Sequence, residues 1–367
     1  MDNELMYKIA LTKVPNIGNV HAKSLMQFFK EPAQIFKASK SHLEKLEGIG
    51  SIRANSIKAF KDFDVCIKEI DFIQKHGIES FFFTDEKYPK RLTNCYDSPI
   101  MLYYKGSSNL NASKIISIVG TRNNSEYGKQ ICEKFISDLK LKDVLIVSGL
   151  AYGIDTIAHR TALNNNIETI GVLAHGLDRI YPSANKQLAK EMIFRGGLIT
   201  EFISGTNPDK QNFPNRNRIT AGICDALIVI ETSKKGGSLI TAEIANDYNK
   251  DVFAFPGKAT DIKSEGCNKL IQLNKAHLIT HANDLLEMMQ WNEIKSNVKK
   301  ITPQLFYDLN EEELEILEFF KQKIDWQIDE LCMLSKMNNS KIAVVLLSLE
   351  MNGIILSLPG KIYRYLH

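Results

Sequence analysis

The densest group of chemistry-bearing side chains is Lys210-Gln211-Asn212-Phe213-Pro214-Asn215-Arg216-Asn217-Arg218, three cations and one aromatic ring within nine residues. Cations can neutralise phosphates and the ring can stack on a base, at roughly 1–3 kcal/mol per base whatever its identity, which is what single-stranded nucleic acid requires. The same residues could serve a folded interior, with Arg216 and Arg218 in internal salt bridges and Phe213 in the core. Spacing leaves both uses open. Three glycine-containing turns add backbone that can face an anion. They are Gly120-Thr121-Arg122, the Ser148-Gly149 start of Ser148-Gly149-Leu150-Ala151-Tyr152-Gly153-Ile154-Asp155, and Gly237-Ser238 within Lys234-Lys235-Gly236-Gly237-Ser238. In the first, a hydroxyl and a guanidinium could grip a phosphate together.

Other chemistries lack their parts. Seven residues separate Gly120 from Gly128, and Gln130 follows Lys129, so the nucleoside-triphosphate loop is not formed. Arg122 takes the place of the second glycine of a dinucleotide fingerprint. Asp155 and His159, four apart, would share a helix face, but a satisfied structural pair is the simpler assignment than a catalytic base and its orienter. Ser148 has no glycine two residues before it, so a nucleophile elbow is absent. The six cysteines are at least 29 positions apart with no CxxC, which argues for reduced thiols and no structural zinc. No catalytic residue, metal or cofactor is expected.

These turns sit at the ends of short apolar runs: Ile115 to Val119, Val144 to Val147, Thr169 to Leu173, Leu198 to Ile199, Leu227 to Ile230, Val252 to Phe255 and His277 to Ile279. Alternation of such runs with helical patterns predicts a parallel sheet covered on both faces, with ligands beyond the carboxyl ends of its strands. The turns would then converge on one edge. Before the sheet, residues 1–80 read as short helices in which Val14 to Leu25 is echoed by Leu46 to Ile57, two copies of a helix-hairpin-helix pattern. Phe81 to Asn111 reads as a connector with strand-like pieces at Tyr88 to Leu92 and Pro99 to Gly106, the first part of a core spanning 81–290. A polar linker over 291–304 leads to 305–367, read as helices at Glu311 to Lys321, Gln327 to Leu334 and Ser340 to Met351. A hairpin turning at Pro359-Gly360 completes a winged helix.

The 367 residues carry 46 basic and 43 acidic side chains, a net +3, too even for binding nucleic acid through diffuse charge. Any polyanion site must be local. The terminal unit holds 10 acids and 6 bases, so it suits protein or self contact better than a duplex groove. No apolar stretch is long enough to span a membrane, and Met1 to Ala10 carries acids where a signal peptide has a basic start, so a cytoplasmic location is expected.

Taken in order, these motifs resemble the DNA-processing protein A family (DprA, also called Smf). The resemblance rests on Tyr88-Pro89-Lys90-Arg91-Leu92, Leu102 to Gly106, Ile118-Val119-Gly120-Thr121-Arg122, Ser148 to Asp155 and Gly176 to Pro182. Phe213 to Ile219, Gly237 to Ala242 and Phe255-Pro256-Gly257 complete it. It implies a Rossmann-like core without catalytic activity that dimerises, coats single-stranded DNA and helps load the recombinase RecA during transformation or recombination. By the family's motifs Arg122 and Lys210 hold phosphates and Phe213 stacks on a base. Gly120, Thr121, Ser148, Gly149, Gly237 and Ser238 line the same pocket, and Arg216, Asn217 and Arg218 shape or extend it. Dimerisation falls to roughly Cys267 to Met289. Two positions depart from the pattern: Tyr152 stands where many relatives carry a basic residue, and Leu273-Asn274-Lys275-Ala276 lacks the usual glycine. Outside this family, related Rossmann proteins that cleave nucleoside monophosphates carry a Gly-Gly-x-x-Thr-x-x-Glu segment. Gly236 to Glu243 matches it only loosely, with Thr241 and Glu243 displaced.

Overall fold

The computed structural model describes residues 3–139, 143–291, 309–335, 337–358 and 361–366. The chain divides into two compact units, Met1–Gln290 and Trp291–His367. Most of the 291–304 linker and the Pro359-Gly360 turn lie outside the described residues.

The larger unit is built on nine strands: β1 (Glu79–Phe82), β2 (Met101–Gly106), β3 (Lys114–Val119), β4 (Val144–Ser148), β5 (Glu168–Val172), β6 (Gly196–Thr200), β7 (Ala226–Val229), β8 (Asp251–Ala254) and β9 (His277–Leu278). Their order is β1-β2-β6-β5-β4-β3-β7-β8-β9. From β6 to β9 every pairing is parallel, whereas β1 and β2 join antiparallel at one edge. The central strands are buried along their whole length, which is why they read as continuous Ile/Leu/Val runs without alternation.

The connector behaves differently from its sequence reading at one point. Residues around Tyr88 to Leu92 are not a strand. A short helical turn, Lys90–Thr93, forms because Tyr88 Oη donates to Pro99 O at 2.5 Å while Arg91 forks onto Asp225 at 2.6 and 2.8 Å, tying this segment to the end of the sheet. Six helices precede β1, from Asn3–Lys13 to Phe63–His76. The two similar segments pack against each other, Asn16 Nδ2 donating to Ser56 Oγ at 3.1 Å and Arg53 Nε to Asn16 O at 3.2 Å. Their apolar faces share a core with Phe82, Ile100, Met101 and Tyr103, so the helices are built onto the antiparallel edge of the sheet.

The smaller unit contains helices Glu311–Phe320, Ile328–Ser335 and Asn339–Met351. Its strands are β10 (Asp325–Gln327), β11 (Ile355–Leu358) and β12 (Ile362–Tyr365), ordered β10-β12-β11 and all antiparallel. Strand β10, three residues long, is too short to carry a periodic signal.

Candidate nucleic-acid interface

Strand order reverses at β3: β4, β5 and β6 lie to one side of it and β7, β8 and β9 to the other. The chain leaves β3 and β7 in opposite directions, so a crevice opens beyond their carboxyl ends. Three helices start at this edge, Ile154–Asn164, Asn212–Gly222 and Gly237–Asp247, and none has a side-chain cap on its first N–H groups. Those groups lack intrahelical acceptors, and the helix dipoles add positive potential at the same place.

A cleft of about 270 Å³ occupies the crevice, lined among others by Gly120, Thr121, Arg122, Phe213, Arg216, Asn217, Gly237 and Ser238. The exposed Arg122 guanidinium lies 5.1 Å above the Phe213 ring, and that ring meets Tyr181 edge-on at 6.3 Å. A smaller apolar recess adjoins it, sharing Arg122, Ala151, Phe213 and Arg216 and rimmed by Tyr152 and Tyr181, which are 51% and 47% exposed. Lys210, just ahead of the Asn212–Gly222 helix, is exposed and lines neither recess.

The turn that presents Arg122 is clamped from both sides. Thr121 N donates to Glu231 O at 2.7 Å, and Ile154 N donates to Thr121 O at 3.2 Å. Gly153 makes the second contact possible: its φ is +76°, and a Cβ there would sit 2.3 Å from Thr121 O. The buried carboxylate of Glu231 accepts from Ser125 N and Ser125 Oγ at 2.8 and 2.6 Å, fixing the next residues of the loop.

Under the stack lies Arg216, only 7% exposed, whose Nε finds no hydrogen-bond partner among the described residues. It faces Asp155 across Gly149, where a Cβ would fall 1.8 Å from Arg216 Nη1 and 2.4 Å from Asp155 Oδ2. Only glycine admits this approach. Burial pushes the Asp155 carboxyl up against the pull of Arg216, and lowers Arg216, whose guanidinium stays charged. Ser238, also 7% exposed, has a hydroxyl with no partner among the described residues. Two buried, unpartnered donors lining one cleft are an uncommon arrangement, because such groups each carry a desolvation cost of about 1–3 kcal/mol.

Besides Lys210, three expected residues do not line the cleft. Ser148 Oγ donates to Ile118 O at 2.6 Å and supports the sheet rather than the cleft, and Gly149 serves the packing of Arg216 beneath it. Arg218 turns away from the cleft: its Nη2 bonds both oxygens of Glu201 at 2.9 and 2.7 Å, its Nε bonds Asn215 O, and its Nη1 reaches Asp97. The two uses of the basic segment are therefore divided, Arg218 to an internal ion pair and Arg216 to the cleft. Asp155 and His159 are each satisfied separately. Asp155 accepts from Ala151 N at 3.3 Å, and His159 is held by Gly149 O and Thr169 Oγ1. Glu243 is exposed and pairs with Lys275 at 3.7 Å, so it does not line the cleft. Sequence reasoning missed Tyr181, whose signal was its place in the Gly176 to Pro182 motif, and Glu231, which had none.

A family model described as DNA recombination-mediator protein A matches residues 79–290. The chain belongs to this family. The match covers β1 to β9 and every residue of the cleft. A relative, DNA processing protein DprA of Streptococcus pneumoniae, is 44% identical over 207 residues, which is 56% of this chain and 73% of the relative. The X-ray structure of DNA processing protein A (DprA) from that organism aligns with a TM-score of 0.67 at 35% identity, covering 77% of this chain and 97% of that one. A structure of DNA processing protein A from Helicobacter pylori, described for its single-stranded DNA binding mode, aligns with a TM-score of 0.53 at 29% identity. It covers 58% of this chain and 96% of its own. Among the described residues no helix is long and apolar enough to cross a membrane, and no cluster of His, Cys, Asp or Glu could hold a metal ion.

Proposed function

We propose that this chain binds single-stranded DNA in the cleft at the ends of β3 and β7, without turning it over, as part of DNA processing in transformation or recombination. The observation that carries the reading is the Arg122 guanidinium stacked on Phe213 in a cleft shared with the buried Arg216, with Lys210 exposed just ahead of the helix that carries Phe213. A ring flanked by cations at helix N-termini takes a base and its phosphates without selecting sequence. The single-stranded DNA named for the Helicobacter pylori relative is consistent with this assignment.

In this reading the protein acts as a homodimer through roughly Cys267 to Met289. Exposed Leu273, Leu278 and Met288 and the unpaired edge of β9 favour that surface. It delivers the strand to RecA, an expectation that rests on the family resemblance. The Asn3–His76 helices serve as helix-hairpin-helix units, and the acidic terminal unit acts as a winged helix that contacts protein.

The test is a fluorescence-anisotropy titration of a labelled oligonucleotide, single strand against duplex, at two salt concentrations. Arg122→Ala and Lys210→Ala are expected to weaken single-strand binding, each lowering the salt slope by about 0.7 per lost phosphate contact. Unchanged affinity in both variants overturns the assignment. Added RecA is expected to assemble faster on the bound strand, and no acceleration removes that step from the function.

A further inference from the structure

The Arg122–Phe213 stack accounts for the surface of the cleft and leaves its floor unexplained. There, Arg216 Nε and Ser238 Oγ are both buried and both without a partner among the described residues, and both residues line the same cleft. Ser238 is the second residue of the helix Gly237–Asp247, eleven residues long, whose N-cap Gly236 supplies no side-chain bond to the first N–H groups. Charge, hydroxyl and the uncapped start of a helix thus line one cleft. Asp155 approaches Arg216 across Gly149 without a direct bond, and Arg122 adds a second positive charge at the rim.

We infer that this floor is a seat for a single terminal phosphate, and that the protein grips a phosphomonoester, the 5′-phosphate end of a strand or a nucleotide, more tightly than an internal phosphodiester. The inference rests on the single-strand reading for where the remaining nucleotides lie, but the seat itself does not depend on it. Its donors match a phosphomonoester in number, and Arg122 and Arg216 together outweigh Asp155, the one carboxyl among the described residues that lines the same cleft. A terminal phosphate offers three acceptor oxygens and a charge of about −1.5 to −2, whereas a diester offers two free oxygens and a single charge. The donors are also nearly closed to solvent. A terminal phosphate reaches them with one covalent continuation trailing behind, while a diester must bring two chain directions beneath Phe213 and Arg122. Internal phosphates are then left to the exposed cations Arg122 and Lys210, and the seat to the chain end.

The full chain is titrated with matched oligothymidylates bearing a 5′-phosphate, a 5′-hydroxyl or a 3′-phosphate, and separately with dTMP and with inorganic phosphate. Wild type is expected to prefer a phosphorylated end by about tenfold, the worth of one charge-assisted bond. The 5′-phosphate form is expected to bind more tightly than the 3′-phosphate form, and an equal or reversed order overturns the 5′ assignment. In Ser238→Ala the ratio between phosphorylated and unphosphorylated strands falls towards one. That variant deletes an unpartnered hydroxyl and is expected to fold, which a thermal melt confirms. Lys210→Ala weakens the strands in step and preserves the ratio. Equal affinity for phosphorylated and hydroxyl ends in wild type overturns the seat and leaves the single-strand reading standing. If no oligonucleotide binds but dTMP does, and Ser238→Ala weakens dTMP, the single-strand reading falls and the seat is supported. If neither strands nor dTMP nor phosphate bind, both fall.

Discussion

Replacing Arg218 by alanine separates a DNA contact from a structural cation. Arg218 and Glu201 are 13% and 12% exposed at their side chains and share two bonds, while Asp97 sits 3.9 Å from Arg218 Nη1. Glu201 is already pushed up by burial against the pull of Arg218, so loss of the cation leaves a desolvated carboxylate with a like charge nearby. Removing one member of a buried pair costs about 3–5 kcal/mol, which at about 2 °C per kcal/mol for a unit of this size lowers the melting midpoint by about 6–10 °C. The assay is a thermal melt paired with an oligonucleotide titration well below the transition. Arg218→Ala should melt early and bind the strand with near wild-type affinity. The double variant Arg218→Met, Glu201→Leu should recover most of the lost stability, because Asp97 keeps its bond from Tyr248 and apolar groups then fill the space. An unchanged midpoint together with weakened strand binding would refute the structural assignment.

Two further outcomes follow from the supports of the site. Gly153→Ala forces a side chain into a left-handed backbone position against Thr121 O and should cost about 1–3 kcal/mol of stability while displacing Arg122. Calorimetry and strand affinity both read this change, and wild-type values in both would show that the clamp is dispensable. His159 is fully buried, bonded at Nε2 to Gly149 O and at Nδ1 to Thr169 Oγ1, and burial holds its imidazole down at about 4. The unfolded chain takes up that proton below about pH 6.5 and the folded chain does not. Stability therefore declines as pH falls from about 6.5 to about 4, by about 3 kcal/mol from this residue. Urea midpoints measured across that window should fall less steeply for His159→Gln; parallel curves would contradict the assignment.

Much of this architecture is local and so is written in the chain. Strands β3, β4 and β7 were visible because a strand buried on both faces must be apolar throughout. The glycine turns were visible because only glycine permits such close backbone approach. At the position flagged for its missing glycine, Asn274 takes the turn with φ +54°, a conformation asparagine tolerates. The Tyr88 segment was misread because its conformation is set by Pro99 and Asp225, distant in sequence.

The sequence by itself determined the repertoire at the cleft: a ring, cations and turns at the carboxyl ends of parallel strands. Only the tertiary structure decided their division of labour. Arg216 and Arg218 are two residues apart on one helix, so they point about 200° apart around its axis. One falls against Glu201 and Asp97 and is neutralised. The other falls beneath Phe213, beside the open start of a helix, and keeps an unpaired Nε. Whether a cation is a support or a contact depends on which acid lies across from it, and that neighbour is supplied by the fold rather than by spacing along the chain.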